Sequence, residues 1–283
     1  MSSASKRRAV RVSTRLPEAV VLVFLVLAVA GCSRLSFIKP SAKSDYKPQV
    51  QTYNTRGTAE SRRNEAAREQ LALARRDYGA GDLDAAASAA KAALRGEAVA
   101  ADAHTLLAVI EDRRGRGAAA GTHYKAAVDR APESGAYLNN YGTWLCRNGR
   151  AVEALGYFDA ALRDPGYGDP AGALANAGAC AITAGDTARV ERDLRAALER
   201  DPGNVVALDA MSRYLFSQRR YFDARAFSQR HLAAAPATAA ALQLAVQIET
   251  ALGDSGAADR YQRRLRAEFP HASNLQPRET TAP

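Results

Sequence analysis

The side chains in this chain that can do covalent or coordination chemistry are few. The cysteine thiols are Cys32, Cys146 and Cys180, and the imidazoles are His104, His123, His231 and His271. No two of these histidines stand at the i, i+4 spacing that places two ligands on one helical face, so no metal site is expected and no cofactor is implied. The GxSxG nucleophile turn, the GxxxxGK phosphate loop and the HExxH zinc motif are all absent, which removes the minimum signal for a hydrolase or a nucleotide-driven enzyme. Adjacent acids such as Glu111 and Asp112 point in different directions on a helix and read as solvated charges, not as an acid–base pair. The expectation is a protein that is not an enzyme and has no small-molecule substrate.

Cys32 stands apart because of what precedes it. Five cations (Lys6, Arg7, Arg8, Arg11, Arg15) lead into twelve uninterrupted apolar residues from Ala19 to Ala30. That is the layout of a secretory signal and falls short of the roughly 20 residues needed to span a bilayer. The Leu27-Ala28-Val29-Ala30-Gly31 run before Cys32 resembles a bacterial lipobox, in which the cysteine sulfur is acylated and the preceding bond is cut. Residues 1–31 then form the signal, Cys32 is the lipidation site, and several acyl chains together give firm membrane anchorage. Arg7-Arg8 is not followed by the rest of a twin-arginine motif, so general secretion is expected. Ser33 after the cysteine, where lipoproteins of the inner membrane commonly carry Asp, implies the outer membrane with the folded part facing the periplasm.

Loss of residues 1–31 removes five cations and one anion, so the formal charge falls from +9 to +5. The remaining arginines are spread along the chain. Nucleic-acid binding normally concentrates Lys and Arg with stacking or base-reading groups, so no nucleic-acid partner is expected. Residues 32–64 are polar, contain Pro40, Pro48 and Gly57, and read as a lipidated N-terminus and flexible tether. Residues 271–283 read as a flexible tail.

Between these segments the chain repeats itself. Gly81, Gly115 and Gly149 are 34 residues apart, Gly185 follows after 36, and Arg219 and Gly253 continue at 34. Pro132 and Pro165 close two units, and Pro202, Pro236 and Pro270 recur at 34. This period and its small and large positions resemble the tetratricopeptide repeat, which implies an all-α fold, a tetratricopeptide repeat solenoid of about six helix-turn-helix units over residues 65–270, wound as a right-handed superhelix. The third unit has the clearest pattern. Gly142 and Ala154 are small where two helices approach closely, and Tyr141, Leu145 and Phe158 fill the volume between them. The two extra residues fall in Arg163 to Pro170, which is expected to act as a hinge.

A solenoid of this kind presents the first helix of each unit on its concave face, suited to a segment of another protein. Asn140 and Asn176 share a register, nine residues before their turn glycines. Their carboxamides can donate to and accept from a bound peptide backbone, or can bond neighbouring helices. Asn139, Thr143 and Arg147 lie near the same face and are candidates for partner binding with them. Cys146 and Cys180 are expected to remain as two buried or groove-facing thiols, although an oxidising compartment permits pairing. Alignment on the turn glycines gives Cys146 its counterpart at position 182, so Cys180 is two residues away, about 200° of helical rotation.

The segment Leu138-Asn139-Asn140-Tyr141-Gly142, followed by Asn148-Gly149-Arg150 and Glu153-Ala154, resembles the NNYG helix and turn of the PilF/PilW type IV pilus biogenesis lipoproteins, or pilotins. A lipobox, a polar tether and six units fit that family over the whole mature chain. The resemblance implies an adaptor that binds secretin subunits of the type IV pilus and promotes their localisation and multimerisation in the outer membrane. The alanine-rich first and second units, notably Gly117 to Gly121, depart from the family. Another envelope assembly adaptor, such as a lipoprotein of the barrel-insertion machinery, also combines a lipid anchor with these repeats, although five units are usual there.

Overall fold

The computed structural model describes residues 57–271. The signal, Cys32 and most of the 32–64 segment lie outside the described residues, as do residues 272–283. Among the described residues twelve helices follow one another: α1 (Ala59–Gly79), α2 (Leu83–Ala93), α3 (Glu97–Arg113), α4 (Gly117–Arg130), α5 (Gly135–Arg147), α6 (Ala151–Ala161), α7 (Pro170–Ala184), α8 (Thr187–Arg200), α9 (Val205–Ser217), α10 (Tyr221–Ala234), α11 (Ala239–Ala251) and α12 (Ser255–Glu268). They form six antiparallel pairs. The first begins at Ala59, so the helical part starts before the 65 expected. Thr58 caps it by accepting the Ser61 N–H at 3.0 Å, and Ala59 to Arg63 are all exposed. Helix-forming residues with no apolar stripe gave no periodic signal there.

The turn inside each pair depends on a left-handed residue. Gly81, Gly115, Gly149, Gly185 and Gly253 have φ of 73–84°, and Arg219 adopts φ 60° at the corresponding place in the fifth unit. Five units thus use the residue that enters this conformation freely, and Arg219 carries the strain the others avoid. Pro132, Pro165, Pro202, Pro236 and Pro270 each follow the second helix of a unit, where a missing N–H and a fixed φ stop helix propagation.

The backbones of first helices of successive units approach one another closely (α1 with α3, α3 with α5, α5 with α7, α7 with α9, α9 with α11), and among the described residues the backbones of successive second helices do not. The first helices therefore form the inner wall. In the third unit a Cβ added at Gly142 meets the Phe158 ring at 3.0 Å, and Phe158, Leu145 and Ala154 are fully buried. That is the close approach implied by the small-to-large pattern.

The connector between α6 and α7 differs from the expected hinge. Asp164 accepts the N–H groups of Gly135 and Gly166, each at 2.8 Å, and Tyr167 packs over Gly135. Asp169 caps α7 through the Gly172 N–H. The two extra residues are absorbed in a turn fastened to the third unit.

Candidate functional site

The strongest convergence of polar and apolar groups on the inner wall lies where α5 of the third unit meets α7 of the fourth. Cys146 on α5 and Cys180 on α7 form a disulfide, with Cα atoms 5.9 Å apart. This corrects the expectation of two thiols. Equivalent positions on two side-by-side helices related by translation point the same way and cannot meet. The side of α5 facing forward meets the side of α7 facing back, so an offset near half a turn is what brings the sulfurs together. The two-residue offset that argued against pairing is the condition for it.

Beside the disulfide is a cleft of about 180 Å³ lined by Thr143, Cys146, Arg147, Phe158, Asn176, Ala179 and Cys180. Its floor is sulfur and hydrocarbon and its rim is polar. At the rim Asn176 donates its Nδ2 to Asn139 Oδ1 at 3.0 Å. The carboxamides thus do bond neighbouring helices, and each keeps one further hydrogen-bonding atom, the Asn139 amide nitrogen and the Asn176 carbonyl oxygen. Thr143 Oγ1 donates to the Asn139 carbonyl at 2.9 Å, which holds the hydroxyl against its own helix. Arg147 donates to Asp112 on α3 at 2.7 Å while its side chain stays 59% exposed, leaving guanidinium N–H groups for a partner. Of the five residues expected at the binding face, Thr143, Arg147 and Asn176 line the cleft, and Asn139 is joined to it through its bond with Asn176. Asn140, one position further round α5, is not among those lining the cleft.

The polar row continues towards the first unit. Tyr137 on α5 donates its hydroxyl to Asp102 on α3 at 2.9 Å, and Arg75 on α1 reaches the other oxygen of Asp102 at 3.1 Å. Burial, followed by the bond to Asp102, pushes the Tyr137 phenol up to about 12, so it stays a donor at any physiological pH. A larger hollow of about 470 Å³ opens beside Pro132, Glu133, Arg163 and Asp164, but Asp164 there is committed to its turn.

Sequence reasoning missed Trp144 and Gly121. The Trp144 ring lies where a Cβ on Gly121 would sit, at 2.1 Å, and its indole N–H donates to the Gly117 carbonyl at 3.1 Å. The glycines that looked like a departure from the repeat are the socket for a tryptophan of the next unit. A lone Trp 27 residues after the first of those glycines carried no periodic signal.

Six helix pairs with left-handed turns, small-to-large packing and an inner wall of first helices define a tetratricopeptide repeat protein. The tetratricopeptide repeat family model matches residues 71–134 and 113–173. Among solved structures the chain is similar to PilW, described as a widely conserved type IV pilus biogenesis factor, with 28% identity and a TM-score of 0.69 over 75% of this chain and 98% of that one. It is also similar in fold to PilF of Pseudomonas aeruginosa (23% identity, TM-score 0.66, 76% of this chain and 96% of that one). A tetratricopeptide repeat protein of Parabacteroides merdae shares the fold at 19% identity and a TM-score of 0.57, over 72% of this chain and 80% of that one. No curated protein sequence matches the chain. The resemblance carried by the NNYG segment thus extends to the whole solenoid.

Proposed function

We propose that this protein is a lipid-anchored adaptor of type IV pilus biogenesis that holds a secretin subunit on the periplasmic face of the outer membrane and promotes secretin multimerisation. The observation that carries the reading is the likeness to PilW, which spans 98% of that chain and so includes all of its solenoid. The site supports it independently. A cleft of about 180 Å³ is smaller than the roughly 300–1,000 Å³ of pockets that enclose a small molecule, and suits one side chain of a protein segment. Carboxamides and a guanidinium at the rim match the backbone and acidic groups of such a segment.

Deletion of the gene is expected to abolish twitching motility and leave the secretin as monomer or in the wrong membrane. Unchanged secretin multimers in the deletion strain rule the proposal out. Cys32→Ser is expected to block acylation and leave an uncleaved precursor; incorporation of a palmitate analogue into that variant would refute the anchor.

A further inference from the structure

The apolar surface does not end at the disulfide cleft. Along α7, Asn176, Cys180, Thr183 and Ala184 recur at helical spacing, so they form one stripe facing the third unit. Asn176 and Cys180 line the disulfide cleft. Thr183 and Ala184 line a second hollow, of about 450 Å³, whose other wall is Gly149, Arg150 and Val152 at the turn between α5 and α6. Val152 is 75% exposed. Its position asks for no apolar group, because three residues after the turn glycine of the first unit the chain has Asp84, whose side chain is 97% exposed. Arg150 is held by Glu153 through two bonds of 2.8 Å. The charges of this hollow thus satisfy each other, and Val152 and Ala184 are its free surface.

We propose that the two hollows form one binding surface for an extended segment of another protein, with apolar side chains at alternate positions and an acidic residue between them. The inference rests on the reading of the inner wall as a protein-binding face and adds what that face selects. Two observations choose an extended segment over a helix. The rim keeps a free donor on Asn139 and a free acceptor on Asn176, and a helix has already bonded the backbone groups that would meet them. The stretches of α7 that line the two hollows are centred between five and six residues apart, roughly 8 Å at 1.5 Å per residue. Alternate residues of an extended chain are about 6.8 Å apart and point to the same side. Arg147, the last residue of α5, stands between the hollows, lining the first and preceding Gly149 of the second by two positions. One of its nitrogens is engaged by Asp112 and its side chain is 59% exposed. The residue between the two apolar ones points away from the floor, so an acidic side chain there meets this guanidinium at the rim.

The test uses the full lipidated chain in detergent and fluorescein-labelled eight-residue peptides, read by fluorescence anisotropy. The first peptide carries leucine, aspartate and leucine at consecutive positions in a serine background. The second has serine in place of the second leucine, the third has the two leucines adjacent, and the fourth places them four apart in an alanine-rich helical background. The first is expected to bind about fivefold or more tightly than each of the others, the gain from partly burying one further leucine. Val152→Ser, a change at an exposed position, is expected to bring the first peptide down to the level of the second and leave the second unchanged. The proposal is overturned if the first and second peptides bind alike, if the helical peptide binds as tightly as the first, if Val152→Ser changes nothing, or if no binding is seen at millimolar peptide. It is also overturned if the chain sediments as a dimer that Val152→Ser dissociates, which would make a second copy the occupant. Secretin binding by the same sample separates this inference from the proposed function. A chain that ignores the peptides yet holds the secretin through Asn139 and Asn176 keeps that function and loses the inference; one that selects the first peptide and holds no secretin does the reverse.

Discussion

The first unit and the central units share one backbone plan and differ in what fills it. Around α1 to α3 the buried side chains are largely Ala67, Ala74, Ala86, Ala87, Ala89, Ala90, Ala93 and Ala103, with Leu71, Leu107 and Ile110 as the larger members, in two small clusters. From the second unit onwards one continuous core runs through Tyr124, Leu138, Tyr141, Trp144, Leu145, Phe158, Leu194, Leu208, Met211 and Ile248. Alanine lets helices pack closely but removes little apolar surface from water, so the same number of buried positions contributes less. The third and fourth units also carry a covalent tie the first lacks, the Cys146–Cys180 disulfide. Charged ties cross both boundaries: Arg189 grips Asp159 at 2.7 and 3.0 Å and Asp193 on its own helix at 2.9 Å, and Arg114 reaches Asp84 and, at 2.9 Å, the Leu83 carbonyl of the first unit. In a solenoid, stability is a sum over units and their interfaces. The cleft is therefore built into the stiffest stretch, and the alanine-filled end is expected to open first.

The largest expected effect tests the aromatic core directly. Phe158→Ala removes a fully buried ring from the α5–α6 pair and is expected to lower unfolding stability by about 3–5 kcal/mol. Leu71→Ala, in the alanine-rich cluster, is expected to fall near the lower end of the range for such changes, about 2 kcal/mol. Urea unfolding of both variants makes the measurement, and equal losses would break the contrast between the two ends.

Next comes the disulfide. Cys146→Ser with Cys180→Ser opens a loop spanning 34 residues, a change expected to cost about 2–4 kcal/mol through the greater freedom of the unfolded chain. Hydrogen exchange should then show α5 and α7 losing protection towards the level of α1 and α2. If protection there is unchanged, the aromatic core alone sets the difference.

Gly142→Leu sharpens the comparison further. An added Cβ already meets the Phe158 ring at 3.0 Å, so a full leucine side chain must part α5 from α6, at a cost of about 1–3 kcal/mol. A Cβ at Gly79, in the first unit, has nothing within 4 Å, and Gly79→Leu is expected to leave stability nearly unchanged. Thermal melts followed by circular dichroism distinguish the two, and an unaffected Gly142→Leu would mean the closest helix approach lies elsewhere.

What was legible beforehand follows from what repeats. Left-handed turns, post-helical prolines and the Gly142–Phe158 contact recur at fixed spacing, so period and residue type reveal them. The Cys146–Cys180 bond and the Trp144 socket at Gly121 each join different helices across a unit boundary. Their partners are fixed by which sides of neighbouring helices face each other, a geometric relation that equal register does not express. The start of α1 was hidden for a different reason. Its first turn is solvated on all sides, and helix propensity without an apolar face leaves no pattern to read.

The smallest expected change in stability carries the most information about function. Asn139 and Asn176 are joined by one hydrogen bond of 3.0 Å at a half-exposed rim, so replacing both with alanine removes donor and acceptor together and should cost no more than about 0.5–1.5 kcal/mol of folding stability. If the free amide nitrogen of Asn139 and carbonyl oxygen of Asn176 hold the backbone of a secretin segment, two such bonds are lost from the complex. Binding then weakens roughly five- to a hundredfold while the melt barely moves. Asn140→Ala, whose side chain neither lines the cleft nor joins the Asn139–Asn176 bond, should bind as the parent does. The two ends of the molecule give the remaining control: Arg75→Ala perturbs the same inner wall near the first unit, at an ion pair with both partners well exposed, and should leave binding intact if the partner seats at the disulfide cleft. Normal secretin binding by the Asn139/Asn176 double variant, with loss in Arg75→Ala, would move the contact surface to the alanine-filled end.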